Sequence, residues 1–473
     1  MESRYDHRLL PPELWLSIIR WATYSPPGFN APTFEPFLAS SERLYEREAG
    51  ALTVKYAVVV VCRLWRDIAL SILYEDVRVR HGAHALAEVL GGARQLGRCV
   101  RRLELPYHYT GTSTQYSSDL AMQILQSCPG LEILVRPFIQ GLPDAVRFEF
   151  PIRSHPFPNL KRLEWWHYNH AARSGGINSL TDVLRYSPNL QYLAIGGELW
   201  MTSSTSTSHV LELPVLTTLR IRRINSLFIH QISRWQLPSL AHLIVETSLD
   251  QDALKDVWEL FGSRLCTVEF GRHVGFLLSD QITLFLRDCP RVKSFHYFIY
   301  FTSPPPISNW PCAIECIRLH SHPCHMFSDS EQFTRRHFSF LSQSSFPALR
   351  RIILYGDWGN IVPESYFKDF VQIMSSKGCS VEHASESTHS CTQSHRKCQS
   401  NIGYIYDFTD TSGQPINRPI FLYHGITHIY HLSLNNGLLT QGYYRTIIQS
   451  LCVIQSILEY IGYKLSYKVA PKA

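Results

Sequence analysis

Long runs of any one kind are what this sequence lacks. Only 18% of its 473 residues are Asp, Glu, Lys or Arg, below the roughly 25% of average soluble chains, so large solvated or disordered stretches are not expected to dominate. The net charge of +6 is spread along the chain. Its densest basic spots, Arg101-Arg102, Arg220 with Arg222-Arg223, and Arg350-Arg351, fall short of the run of about five like charges that marks a nucleic-acid arm. Nucleic acid is not favoured as a partner. The longest aliphatic run, near Val58 to Val61, is far short of the ~20 residues that span a bilayer, and no membrane partner is expected. Arg4, Asp6 and Arg8 interrupt the N-terminus, so no signal peptide is expected either.

Catalytic signatures are missing too. There is no Gly-Lys-Ser/Thr phosphate loop, no Gly-x-Ser-x-Gly elbow and no His-Glu-x-x-His helix, so no nucleophile–base set can be named. Gly175-Gly176 and Gly196-Gly197 lack the rest of a nucleotide fingerprint and read as turns. The 12 cysteines have irregular spacing, several inside apolar stretches (Cys62, Cys128, Cys289, Cys452). They read as free thiols of a reducing compartment, cytoplasmic and/or nuclear, not as a disulfide framework. One His/Cys cluster holds His320, His322, Cys324 and His325; another holds Cys379, His383, His389, Cys391, His395 and Cys398. Neither has the paired spacing of a zinc site. No cofactor, metal ligand or catalytic residue is assigned.

Hydrophobic residues make up 45% of the chain, ample for a core. A prior of roughly 150 residues per domain suggests about three units. In the first eighty residues, LPPELWLSIIRWA (10–22) reads as a helix whose Pro11 and Pro12 suit the first turn. Leu14, Ile18 and Trp21 form one apolar stripe on it. A second helix reads over 58–73, with Val61, Trp65, Ile68 and Ile72 at the same period and Arg63, Arg66 and Asp67 elsewhere on the wheel. Two such helices need each other or a partner to cover their stripes. Periodicity alone leaves open a plain helical cap on the rest of the chain.

From about residue 98 a second pattern recurs: a Pro or turn residue, then x-Leu-x-x-Leu-x-apolar. It appears as CPGLEIL (128–134), FPNLKRLEW (157–165), SPNLQYLAI (187–195), LPVLTTLRI (213–221) and LPSLAHLIV (237–245). Weaker copies are VRRLEL (100–105), LCTVEF (265–270), CPRVKSFHY (289–297), IECIRLH (314–320) and FPALRRIIL (346–354). Their central residues run Leu103, Leu134, Leu163, Leu193, Leu219, Leu243, Val268, Phe295, Ile317 and Ile352. Most neighbours are 22 to 31 positions apart, around the period of about 20–29 of leucine-rich units. The longer gap before Ile352 reads as an insertion. Helix-like stretches such as 119–127, 179–187 and 280–288 lie between copies, each ended before the strand by a Pro. A unit that pairs one strand with one helix or turn buries its leucines only by stacking on its neighbours. The expected fold is α/β: a small helical module, then a βα solenoid with a curved parallel sheet inside and helices or turns outside.

The N-terminal residues resemble the F-box family. Its Leu-Pro-x-Glu-Leu start and following Ile are matched by Leu10, Pro11, Glu13, Leu14 and Ile18. Its Val-Cys-x-x-Trp helix is matched by Val61, Cys62, Trp65 and Arg66, and its close by Ser71, Leu73 and Tyr74. The LYEDV string (73–77) is similar to the fungal form. Residues 24–55 are longer than the compact motif allows and read as an inserted loop. The resemblance implies docking onto the Skp-type adaptor of a cullin-RING ubiquitin ligase, through Leu10, Pro11, Glu13, Leu14, Ile18, Val61, Cys62, Trp65, Ile68 and Leu73. The array resembles the leucine-rich-repeat domain by which such proteins hold their targets.

The expected organisation is an F-box-like module over 1–80, a repeat array over 98–382, a polar linker over 383–400 and an extension or cap over 401–473. Strand alternation puts the residues flanking each inward Leu on the surface offered to a target. Those are Arg162, Glu164 and Trp166, then Arg220 and Arg222, then His242 and Glu246. They continue with His296 and Phe298, Arg318 and His320, and Arg351 and Tyr355. Trp, Phe and Tyr among arginines are types enriched at interface hot spots. The alternatives are a leucine-rich scaffold with a degenerate F-box, or a repeat-based RNA-binding protein, for which a continuous basic groove is lacking.

Overall fold

The structure is a computed structural model. It describes residues 11–23, 34–37, 45–79, 82–105, 118–137, 156–167, 180–197, 211–222, 229, 232–247, 251–273, 275–278, 280–309, 312–322, 330–344 and 346–384. Leu10, Cys324, His325 and everything beyond Ala384 fall outside them. The chain divides after Ala384, and every described residue belongs to the first unit.

Three helices open it. Helix α1 (Pro12–Ala22) starts where the sequence places its prolines, with the Leu14 and Trp15 amides donating to the Pro11 carbonyl. The expected single second helix is two: α2 (Tyr45–Val61) and α3 (Arg63–Leu73). Cys62 separates them in an extended conformation, its sulfur accepting from the Trp65 amide at 3.4 Å. As an N-cap it satisfies a first-turn amide that the broken helix leaves open. So α2 takes up the end of the stretch expected to be a loop. The module's own small core holds Ile19, Val58, Ala69 and Ile72, with Leu16, Val54, Trp65 and Ile68 packed on it.

Twelve parallel strands then pair in chain order: β1 (Asp76–Arg78), β2 (Arg102–Glu104), β3 (Ile133–Arg136), β4 (Arg162–His167), β5 (Tyr192–Gly197), β6 (Thr218–Ile221), β7 (His242–Val245), β8 (Thr267–Phe270), β9 (Ser294–Phe298), β10 (Cys316–His320), β11 (Arg351–Tyr355) and β12 (Ser380–His383). Strands β2 to β11 are the ten expected copies. The sheet begins earlier than expected, at Asp76, and β12 extends it. Register aligns the copies residue for residue. Val77, Leu103, Leu134, Leu163, Leu193, Leu219, Leu243, Val268, Phe295, Ile317, Ile352 and Val381 form one continuous column. From Leu103 to Ile352 every member is buried in one core. A single-residue slip would turn that column to the other face, which fixes the register.

Among the described residues, helices lie between many of the strands: α4 (Ala83–Gly91), α5 (Ser118–Gln126), α6 (Leu180–Arg185), α7 (Gln251–Phe261), α8 (Gly275–Leu278), α9 (Gln281–Asp288), α10 (Ser330–Gln343) and α11 (Ser365–Ser376). Their apolar faces (Leu90, Ile124, Leu184, Trp258, Phe285, Phe338 and Phe370) enter the same core. The long gap before Ile352 is filled by α10. The prolines do more than stop helices. In each clear copy the Leu amide donates to the carbonyl three residues back, Leu131 to Cys128 and Leu160 to Phe157 at 3.2 Å among them. Pro129 and Pro158 therefore stand at the second position of a β-turn, where the fixed φ of proline fits. This all-parallel α/β sheet is the arrangement a βα solenoid requires. No helix among the described residues is long and apolar enough to cross a membrane.

Candidate interaction faces

Two surfaces of the described unit are candidates for binding. On α1, the core is filled by Trp15 and Ile19, each 2% exposed, with Trp15 4.9 Å from the Trp65 ring. The stripe of Leu14, Ile18 and Trp21, for which the sequence left open a neighbouring helix or a partner, turns outward: Trp21 is 84% exposed, Leu14 exposed and Ile18 half-buried. On α2, Leu52, Tyr56 and Val60 recur at four-residue spacing and are also exposed, as are Val61 and Leu64. Of the residues expected to meet an adaptor, Pro11, Glu13, Leu14, Val61 and Cys62 are exposed. Ile18, Trp65, Ile68 and Leu73 are half-buried, and Trp65 and Ile68 support the small core.

The second surface is the sheet face turned away from the main core. Register brings the expected target-facing residues into three adjacent columns. Arg162, His242 and Arg351 share one, and Glu164, Arg220, His296 and Arg318 the next. Trp166 pairs with Gly196 on β5, while Phe298, His320 and Tyr355 stand side by side further along. They do not stand free in solvent, however. Arg351 is exposed, Glu164, Arg220, Arg222, His296 and Phe298 are buried, and the others are half-buried.

The reason in the first half of the sheet is charge pairing between strands. Arg102 meets Asp76 at 2.7 Å and Glu104 at 3.3 Å. Glu164 accepts from Arg162 at 2.7 Å and from Arg222 at 3.3 Å. Arg222 lies 3.2 Å from Glu246, which also pairs with Arg220. The Arg162 guanidinium lies 4.2 Å over the Tyr192 ring. Such burial is tolerated because each charge has a partner. A Cβ on Gly196 would stand 2.7 Å from the Arg222 Cβ and 3.1 Å from the Trp166 ring, so glycine is what lets that pair close.

From β7 to β11 rings and histidines predominate, although Arg351 still meets Glu382 on β12 at 3.2 Å. Phe298 stacks on His320 at 4.7 Å. Burial, with His322 nearby, pushes His320 down to about 4. Burial likewise lowers His242 and His296; for His296 the Glu269 hydrogen bond pulls the other way. A neutral His296 suits its partners: Arg318 donates to Nε2 at 2.8 Å, leaving Nδ1 to donate to the Glu269 carboxylate at 3.3 Å.

Residues Phe34 to Phe37, inside the expected loop, lie on this half of the face. Phe34 stacks on His242 at 4.7 Å and approaches His296 at 5.4 Å. Phe37 meets Phe298, His320 and Tyr355 edge-on at 5.0 to 5.1 Å. Its amide donates to Glu269 at 2.8 Å. Sequence reading missed Phe34, Phe37 and Glu269. The available signal was Phe34 and Phe37, three positions apart in a stretch rich in Pro and Ser.

Comparison with known proteins returns no matching family model and no matching curated protein.

Proposed function

We propose that the chain is a non-enzymatic substrate receptor of a cullin-RING ubiquitin ligase, an F-box protein with leucine-rich repeats that works in the cytoplasm and/or nucleus. Its helical module would hold a Skp-type adaptor, and the face of its sheet would hold the protein target. The adaptor tethers cullin and the conjugating machinery, so the receptor's contribution is proximity of a target lysine to a charged thioester. The observation that carries this reading is the outward stripe on α1. It turns the F-box-like Leu14 and Ile18, with Trp21 beside them, away from the module's own core, as apolar anchors of a partner interface must be placed.

Arg162, Arg220 and Arg222 of the sheet face are already paired with Glu164 and Glu246, which weighs against a groove that reads phosphates. Adaptor docking is tested by replacing Leu14 and Trp21 together with Ala. Both are exposed, so the variant should fold as the native chain does and lose adaptor pull-down. Undiminished pull-down would leave the scaffold reading, a leucine-rich protein with a degenerate F-box, in its place.

A further inference from the structure

The contact between residues 34–37 and the sheet joins positions far apart in the chain, 232 in the case of Phe37 and Glu269. Its geometry is specific. Phe34 sits on His242 and His296, and Phe37 in a recess made by Phe298, His320 and Tyr355. His296 borders both, and the Glu269 carboxylate, 3% exposed, accepts the Phe37 amide. The chain from Arg318 through His296 to Glu269 orients that carboxylate. Phe37 has φ of 56°, in the left-handed region that a bulky residue occupies only where its surroundings hold it. Ring recesses with a fixed amide acceptor beside them are what recognition of a short peptide turn by its side chains and backbone together requires.

We propose that residues 34–37 occupy in cis the groove meant for the target, and that the target presents a short turn with two aromatic side chains three positions apart. The native chain is then its own competitor. A tethered segment acts at high effective concentration, so only a target that outcompetes it is captured. The proposal rests on the reading of the sheet face as the recognition surface and is independent of adaptor docking.

The test is a fluorescence-polarisation titration with a labelled ten-residue peptide corresponding to residues 31–40. The full chain carrying Phe34→Ala and Phe37→Ala should bind it at least about tenfold more tightly than the native chain, because emptying the groove raises the competent fraction. Adding Tyr355→Ala to that variant should weaken binding again, and a peptide with both phenylalanines replaced by Ala should bind neither chain. Thermal melts establish that each variant folds. If the double variant loses its cooperative melt, Phe34→Ala alone carries the same comparison. Equal affinity of the native chain and the folded variant overturns the proposal, as does absence of binding or unchanged binding of the Ala peptide. Adaptor pull-down on the same chains reports the helical module separately, so failure there and failure here are told apart.

Discussion

At the scale of single residues, the buried histidines make a pH dependence. His337 on α10 has no exposed surface; its Nδ1 lies 3.3 Å from the Tyr297 hydroxyl and its ring 5.4 Å from Phe333. Burial pushes it down to about 4, as it does His320, against about 6.5 in an unfolded chain. Between those values the unfolded state binds more protons than the folded one, so stability rises with pH. It is fully present above about pH 6.5 and is lost as pH falls towards about 4. Urea midpoints across that window should fall steadily. His337→Phe, which keeps a ring beside Phe333, should flatten the fall, and an unchanged slope would assign the effect to other groups.

At the scale of the repeated element, the Pro-Asn-Leu turn carries a coupling that hydrophobic spacing does not reveal. The Asn159 amide group donates to the Pro129 carbonyl at 2.9 Å, and Asn189 repeats the contact one copy later, to Pro158 at 2.7 Å. Each Asn thereby ties its turn to that of the preceding copy. Both are exposed, so each bond contributes towards the lower end of the roughly 0.5–1.5 kcal/mol of a net hydrogen bond. Replacing both with Ala should lower unfolding free energy by about 1 kcal/mol in denaturant melts. Restoring the side-chain length with Asp should not recover it, since Asp has no hydrogen to donate. The helices show where element boundaries were legible. Pro11-Pro12 placed the start of α1 correctly. The apolar run from Val58 to Cys62, resumed at Leu64, hid the break at Cys62, because periodicity records which positions are apolar and not which backbone torsions the packing of α2 on α3 demands.

At the scale of the whole described unit, each strand meets only its neighbours in chain order, so stability is a sum of copies and their interfaces. Amides of β6 and β7 should exchange with solvent most slowly, and those of the edge strands β1 and β12 first. Leu219→Ala, at a side chain with no exposed surface, should cost about 2–5 kcal/mol. Hydrogen exchange by mass spectrometry should then show protection lost in β5, β6 and β7 before it is lost at either end. Uniform loss along the sheet would mean the copies unfold as one block.

The sequence by itself determined ten of the sheet's twelve strands. Its Leu column could be read copy by copy, because burial on one face and a two-residue strand period leave a single register, and the same alternation assigned Arg162, Glu164, His296 and Tyr355 to the opposite face. Tertiary structure alone decided what those residues do there. Glu164 is satisfied by Arg162 beside it and by Arg222, 58 positions away just past β6, so a charge that reads as offered to a target is already held. On α1 two apolar stripes compete, Trp15 with Ile19 and Leu14 with Ile18 and Trp21; a helical period marks both but cannot say which one the packing of α3 covers. The landing of Phe34 and Phe37 on β7 to β11 was hidden for the same physical reason. Local pattern reports which surfaces are sticky, whereas the choice between them is made by partners that only the folded chain brings near.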